Sequence, residues 1–169
     1  AAHMVAVAAP LKEQSHWHQL AMTLAERSHD KRARGWLATL YNNQGWTLFE
    51  PGRLDEAIAC QQKCLAWHEQ HNNQGKAFIA RWSLARLSRA QDRHEQAMAE
   101  LAQLRDDMTA AGAPEDGYVF EELGENALLL NDPAATEYFA RAWFLLSQDG
   151  WFTANEAERL ARLKLLAKL

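Results

Sequence analysis

The sequence predicts an all-α fold built from repeated pairs of helices. Two observations indicate helices: the 169 residues include only 8 Gly and 4 Pro, and no segment shows the period-two alternation with β-branched residues that is typical of strands. A third observation indicates repetition, because turn-forming residues cut the chain at regular intervals into roughly eight helices.

Small residues recur at a fixed spacing along these predicted helices. They form three pairs: Gly45 with Ala57, Ala85 with Ala97, and Gly124 with Ala135. The members of a pair are 11 or 12 residues apart, and equivalent members of successive pairs are 38 to 40 residues apart. Such self-similarity is the sequence pattern of a repeat protein. Because packed helices approach closely only where a small side chain leaves room, we expect these six residues to be buried between helices.

The segment 52–58, with the sequence GRLDEAI, resembles the turn and second helix of a tetratricopeptide repeat. The resemblance extends over about residues 11–148. It implies a right-handed α-α solenoid of about three tetratricopeptide-like helix pairs, with a leading half repeat and a C-terminal capping helix. The period near 40 residues is longer than the roughly 34 of the usual repeat, and the long helices are similar to those of kinesin light chain and of bacterial Rap-type sensors.

The same reading divides the chain into segments. We expect a disordered N-terminus over 1–10 that includes a cloning remnant before Met4, and a single tetratricopeptide-like domain over 11–169. Within that domain the repeats are predicted at about 31–71, 74–111 and 114–148, followed by the capping helix 153–169. Thr153 and Glu156 have capping-box spacing, which predicts the start of the last helix.

Composition argues against two classes of partner. A formal net charge of −4 provides no basic footprint for nucleic acid or for an anionic membrane surface, and no apolar run approaches the length of a membrane span. Cys60 and Cys64 lie four residues apart on one predicted helix, where a stable disulfide is unfavourable. We therefore expect reduced thiols, a cytoplasmic location, and neither nucleic acid nor membrane as a partner.

The resemblance implies that the first helix of each pair lines a concave groove. It gives these partner-binding residues: Asn42, Asn43, Trp46 and Phe49 in the first repeat, Trp82, Arg86 and Arg89 in the second, and Glu121, Glu125 and Leu128 in the third. A protein or peptide partner suits this set, because Trp and Arg often supply most of the binding energy and Asn pairs with peptide backbone.

An alternative interpretation makes the same residues structural. In it, Arg86 and Arg89 pair with the two acidic residues at 121 and 125 across neighbouring helices, while Trp46 and Trp82 pack between repeats. We expect the two interpretations to differ in the response of the fold to substitution of Trp82 and Arg86.

A candidate metal site consists of Cys60, Cys64 and His68, which lie at i, i+4 and i+8 on one helical stripe with His71 beyond them. These are soft ligands of the kind that zinc or copper prefers. One straight helix cannot easily close a tetrahedron, however, and Cys64 occupies a small-residue position of the repeat. We therefore favour core packing and predict no metal and no cofactor.

No catalytic arrangement is found, since the sequence has neither a nucleophile elbow nor a phosphate-binding glycine loop. The leading prediction is a bacterial-type adaptor, not an enzyme, that binds a peptide or partner protein in its concave groove. The first alternative is a regulatory sensor that binds a small effector or signalling peptide. The second is a self-assembling structural module, a homodimer formed through the terminal helices Leu11 to Leu24 and Leu160 to Leu169.

Overall fold

The computed structural model describes residues 4–5 and 8–169, and within those residues it contains helices, turns and no strand. The helices are α1 (Leu11–Arg27), α2 (Lys31–Arg34), α3 (Leu37–Phe49), α4 (Leu54–Gln70), α5 (Gln74–Ala90), α6 (His94–Ala110), α7 (Gly117–Leu129), α8 (Ala135–Leu146), α9 (Gly150–Asn155) and α10 (Ala157–Leu166). The predicted cloning remnant lies outside the described residues. So does part of the predicted disordered segment 1–10, in which Met4, Val5 and Ala8 are helical.

The turns between the longer helices share one geometry. Each contains a residue with positive φ; these are Gly52, Asn72, Asp92, Gly112 and Asn131, with φ between 52° and 77°, at intervals of 20, 20, 20 and 19 residues. The amide that follows donates to the carbonyl five residues earlier, as from Arg53 to Leu48 over 3.0 Å and from Asn73 to His68 over 2.9 Å. This is the Schellman ending, which satisfies carbonyls that the helix leaves open.

The chain divides into two compact units, Ala1–Leu87 and Ser88–Leu169, and the boundary falls within α5. In the first unit α1 packs on α3 and α3 packs on α4. A core cluster joins α1, α3, α4 and α5; its buried members are Ala21, Met22, Ala25, Leu37, Ala38, Leu40, Tyr41, Cys64 and Ala80. A second cluster consists of Leu48, Ala57 and Leu87. Together these clusters bury the apolar faces of the helices on either side of α3.

The second unit packs in the same consecutive manner. Helix α7 contacts α6 on one side and α8 on the other, and α10 closes against α8. Close approach of α7 and α8 depends on glycine, because a Cβ at Gly117 would lie 2.6 Å from Cγ of Leu146 and a Cβ at Gly124 would lie 2.8 Å from Cδ1 of Phe139. The core of this unit is therefore assembled around the α7–α8 contact.

The small residues that the sequence singled out are buried. Ala57, Ala85 and Ala97 are at most 1% exposed, Ala135 is 7% exposed, and Gly45 and Gly124 are buried within α3 and α7. The predicted all-α fold is confirmed, and its helices pack in consecutive pairs, as in an α-α solenoid of tetratricopeptide type.

The C-terminal segment differs from its prediction. In place of one capping helix over 153–169 there are two helices, α9 and α10, separated at Glu156. The cap of α9 is Asp149, whose carboxylate accepts from the amides of Trp151 and Phe152 at 2.8 and 3.1 Å. Thr153 instead donates to the carbonyl of Gly150 at 3.1 Å. The predicted capping box is wrong because Asp149 starts the helix one turn earlier.

Candidate functional site

Four of the predicted binding residues meet on the first unit, where α3 and α5 come together. We call Trp46, Phe49, Trp82 and Arg86 the Trp–Arg cluster. The ring centroids of Trp46 and Trp82 are 5.9 Å apart, and those of Trp46 and Phe49 are 5.6 Å apart with an edge-to-face geometry. The guanidinium carbon of Arg86 lies 5.6 Å, 6.0 Å and 5.7 Å from the rings of Trp46, Phe49 and Trp82.

Helical spacing explains this convergence. Trp46 and Phe49 are three residues apart on α3, and Trp82 and Arg86 are four apart on α5, so each pair occupies one face of its helix. Each ring contact within about 6 Å of a guanidinium contributes roughly 0.5–1 kcal/mol at a partly exposed site. All four side chains are half-buried. The cluster is thus an ordered surface feature as well as a helix–helix contact.

The two asparagines lie next to the cluster on α3. Nδ2 of Asn42 donates to Oδ1 of Asn43 at 3.3 Å. Gln61 of α4, which is fully buried, lies 3.4 Å through its Nε2 from both the backbone oxygen and Oδ1 of Asn42. Gln61 therefore orients the exposed amide pair from below, a role that the sequence analysis did not assign to it.

The three predicted charged residues of the second unit are all engaged in ion pairs there. Arg89 donates through Nε and Nη2 to both carboxylate oxygens of Glu122, at 2.7 and 3.0 Å. Glu121, which is 4% exposed, accepts from Nε and Nη2 of Arg159 at 2.6 and 2.5 Å. Glu125 accepts from Arg162. Leu128, the last predicted residue, is 43% exposed.

Burial and pairing have opposite effects on these arginines. Burial lowers the pKa of Arg89 and Arg159, but the paired carboxylates outweigh it and the pKa of each guanidinium is raised. Arg159 also lies 5.6 and 5.3 Å from the rings of Tyr118 and Phe152. A ligand that used Glu121 would first have to displace Arg159.

The structural alternative is met in part and with different partners. Arg89 does pair with an acidic residue of α7, but the partner is Glu122, and Glu121 and Glu125 are paired with arginines of α10. Trp46 and Trp82 do pack between α3 and α5. The predicted binding role of the ten residues remains a prediction.

Sequence reasoning missed Gln61, Glu122, Arg159 and Arg162. The first two offered weak signals, since a Gln or Glu facing a glycine or a core position of a repeat needs a polar partner. The arginines offered none, because their role depends on where α10 folds back.

The candidate metal residues lie in the core or stack on one another. Among the described residues, no group of three or more His, Cys, Asp or Glu side chains is placed to hold a metal ion. Cys60 and Cys64 are free thiols, and burial raises the pKa of both, to about 11 for Cys64. Burial lowers the pKa of His68, and the imidazole of His71 stacks on Trp67 with centroids 3.8 Å apart. These properties are those of packed core groups.

Successive helix pairs with Schellman turns and small residues at their contacts define an α-helical repeat protein. The family model of the tetratricopeptide repeat matches residues 38–71, which are α3 and α4. The match identifies this segment as a tetratricopeptide repeat and confirms the predicted family. Repeats of this family mediate protein–protein interaction in general. No curated protein is similar enough to this chain to count as a match. Of the helices in the described part, none is both long and apolar enough to cross a bilayer.

Proposed function

We propose that the protein is a non-catalytic adaptor that binds a peptide or partner protein over the Trp–Arg cluster and the adjacent amides of Asn42 and Asn43. The observation that carries the proposal is the placement of Arg86 over three half-buried aromatic rings at the α3–α5 contact. Tryptophan and arginine dominate binding energy at interfaces, and pre-ordered side chains lose little entropy on binding.

The arrangement favours a ligand with apolar and backbone groups in sequence. Asn42 and Trp46 are four residues apart on α3, so an extended segment that pairs with the amides would reach the indole next. With both cysteines present as free thiols, we place this interaction in the reducing cytoplasm.

The test is affinity capture with a matched control. The cluster variant is Trp82→Ala with Arg86→Ala, and the control is Trp151→Ala with Arg93→Ala, which removes an exposed Trp and an exposed Arg elsewhere. We expect proteins retained by the unsubstituted chain to be depleted roughly tenfold or more by the cluster variant and to be retained by the control. Equal capture by both variants contradicts the proposal.

Unfolding of the cluster variant would support the structural alternative. To keep the test decisive, Arg86→Met preserves most of the packing volume and removes only the charge. Circular dichroism melts of this variant are expected to remain cooperative, while capture still falls. If the melt of Arg86→Met collapses, the cluster is structural.

Exposed leucines favour self-association as a second function. In the first unit Leu20 and Leu24 of α1 are 38% and 57% exposed, and in the second unit Leu165 and Leu169 are 76% and 62% exposed. We propose that these ends dock between copies. Light scattering over a dilution series should show dimers that Leu165→Lys converts to monomers, and a monomer at every concentration rejects the proposal.

A further inference from the structure

A cavity of about 600 Å³ opens on the second unit between α6 and α8. Its volume lies in the range of roughly 300–1,000 Å³ that is usual for small-ligand sites. None of its lining residues belongs to the Trp–Arg cluster, and none was predicted from sequence to bind a partner. The lining is Arg105, Thr109, Glu115, Phe120, Glu137, Tyr138, Ala140, Arg141 and Phe144.

Three aromatic rings give the cavity an apolar surface. Phe120 of α7 is 7% exposed, Tyr138 of α8 is half-buried, and Phe144 of α8 is 50% exposed. Residues 137, 141 and 144 fall on one stripe of α8 by their spacing of four and three. Aromatic rings arranged around a void are suited to a further planar ring, because edge-to-face and offset pairs add to the gain from burial.

Two guanidinium groups reach the same cavity from different helices. Arg141 of α8 lies with its guanidinium carbon 5.0 Å from the ring of Phe144, and its Nε donates to Glu115 at 2.9 Å. Arg105 of α6 contacts the neighbouring Asp106 at 3.6 Å. The side chains of these two arginines are 40% and 39% exposed, and those of Glu115 and Asp106 are 44% and 68% exposed.

Pairs as exposed as these contribute only about 0–1 kcal/mol. Either arginine can therefore exchange its present partner for a ligand carboxylate at little cost, and a bidentate guanidinium–carboxylate pair is favourable in a half-enclosed site. Glu115 and Glu137 line the cavity as well. Their charges oppose a phosphate group, which carries about −1.5 to −2, and leave a single carboxylate as the matching anion.

We propose that this cavity binds an aromatic carboxylate, a planar ring close to one carboxylate, with the ring against Phe120 and Phe144 and the carboxylate on Arg105 and Arg141. Such a group is carried by a free aromatic amino acid or by an aromatic residue at the C-terminus of a peptide. The cavity of about 430 Å³ on the first unit, lined by Ser15, His16, Gln19, Gln44, Leu48, Arg53, Glu56, Ala59 and Cys60, has no Phe, Tyr or Trp and serves as an internal comparison.

The test is a titration of the whole 169-residue chain, followed by backbone and arginine side-chain NMR. The probe is N-acetyl-L-phenylalanine. We expect saturable shifts in α8 and at the Nε–H groups of Arg105 and Arg141, with no change around the first-unit cavity. N-acetyl-L-phenylalanine amide keeps the ring and lacks the charge, so it should bind roughly tenfold more weakly. N-acetyl-L-alanine keeps the carboxylate and lacks the ring, so it should not saturate.

Substitutions then locate the site. Arg141→Gln and Phe144→Ala are each expected to weaken binding by roughly fivefold or more, while Arg93→Gln, on the same unit and outside the cavity, leaves it unchanged. Free L-phenylalanine identifies the source: binding as tight as that of the acetylated probe indicates a free amino acid, and weaker binding indicates a peptide terminus. Equal affinity for the neutral amide, or no saturable shift in α8, overturns the proposal.

Discussion

Gly124 lies directly against the ring of Phe139, and a Cβ at position 124 would come within 2.8 Å of both Cδ1 and Cε1 of that ring. Phe139 is 1% exposed and has no free volume to move into. At the equivalent contact of the first repeat, a Cβ at Gly45 would lie 2.8 Å from Nε2 of Gln61, the flexible end of a side chain. The two glycines thus occupy similar positions with different tolerance for a methyl group.

We expect Gly124→Ala to destabilise the protein and Gly45→Ala to be nearly neutral. Overpacking costs about 1–3 kcal/mol, while alanine gains about 1 kcal/mol over glycine within a helix. At Gly45 the amide of Gln61 can turn aside; at Gly124 the ring cannot. Urea unfolding measures both, with Gly75→Ala as the control, because nothing lies within 4 Å of a Cβ there. Equal loss at positions 45 and 124 would contradict this interpretation.

Arg89→Met is expected to destabilise the second unit by about 3 kcal/mol. The reason is that the side chain of Glu122 is 2% exposed and would keep a buried charge without its guanidinium. The double variant Arg89→Met with Glu122→Leu should recover most of the loss, since the pair is then replaced by apolar groups. Thermal and urea unfolding check this, and Arg93→Met should change neither. A double variant as unstable as the single one would reject the argument.

Alkaline pH should reveal the burial of Cys64. Burial raises its pKa to about 11 in the folded chain, against about 8.5 in an unfolded one. The contribution of the neutral thiol is therefore complete below about pH 8.5 and is lost as pH rises toward 11, by about 2 kcal/mol between pH 8 and 10. Urea unfolding of the unsubstituted chain should weaken more steeply over this range than that of Cys64→Ala. Parallel pH dependences would show that Cys64 does not titrate in this way.

Mildly acidic pH should reveal His68. Burial first, and then the charges of Lys76 and His71, lower the pKa of this imidazole. A histidine with a lowered folded pKa contributes stability above its unfolded pKa of about 6.5, and the contribution is lost as pH falls through the folded value. We expect the unsubstituted chain to lose more stability between pH 7 and 5 than His68→Gln. A steeper loss in the variant would mean that the folded state prefers the charged ring.

The helix pairing was accessible from sequence because its cause is local. Gly45, Ala57, Ala85 and Ala97 recur at a period set by helix length, and each is buried in the structure. The Trp–Arg cluster was accessible for the same reason, since i, i+3 and i+4 spacing places side chains on one helix face.

The polar contacts of α7 were not accessible in this way. The stripe rule selected Glu121 and Glu125 as groove residues, and the structure pairs them with Arg159 and Arg162, 38 and 37 residues further along the chain. Glu122, which the rule excluded, is the partner of Arg89. Which carboxylate a guanidinium reaches depends on how a later helix returns to the fold, and periodicity carries no information about that.

The evenly spaced positive-φ residues, from Gly52 to Asn131, impose a strict requirement on helix length. One residue inserted between two of these turns would rotate everything beyond it by about 100°. Alanines and glycines that now face a neighbouring helix would then point to water, and bulky side chains would replace them at the contact. The protein should consequently tolerate many exchanges of residue type along a helix, yet very few single-residue insertions or deletions within one.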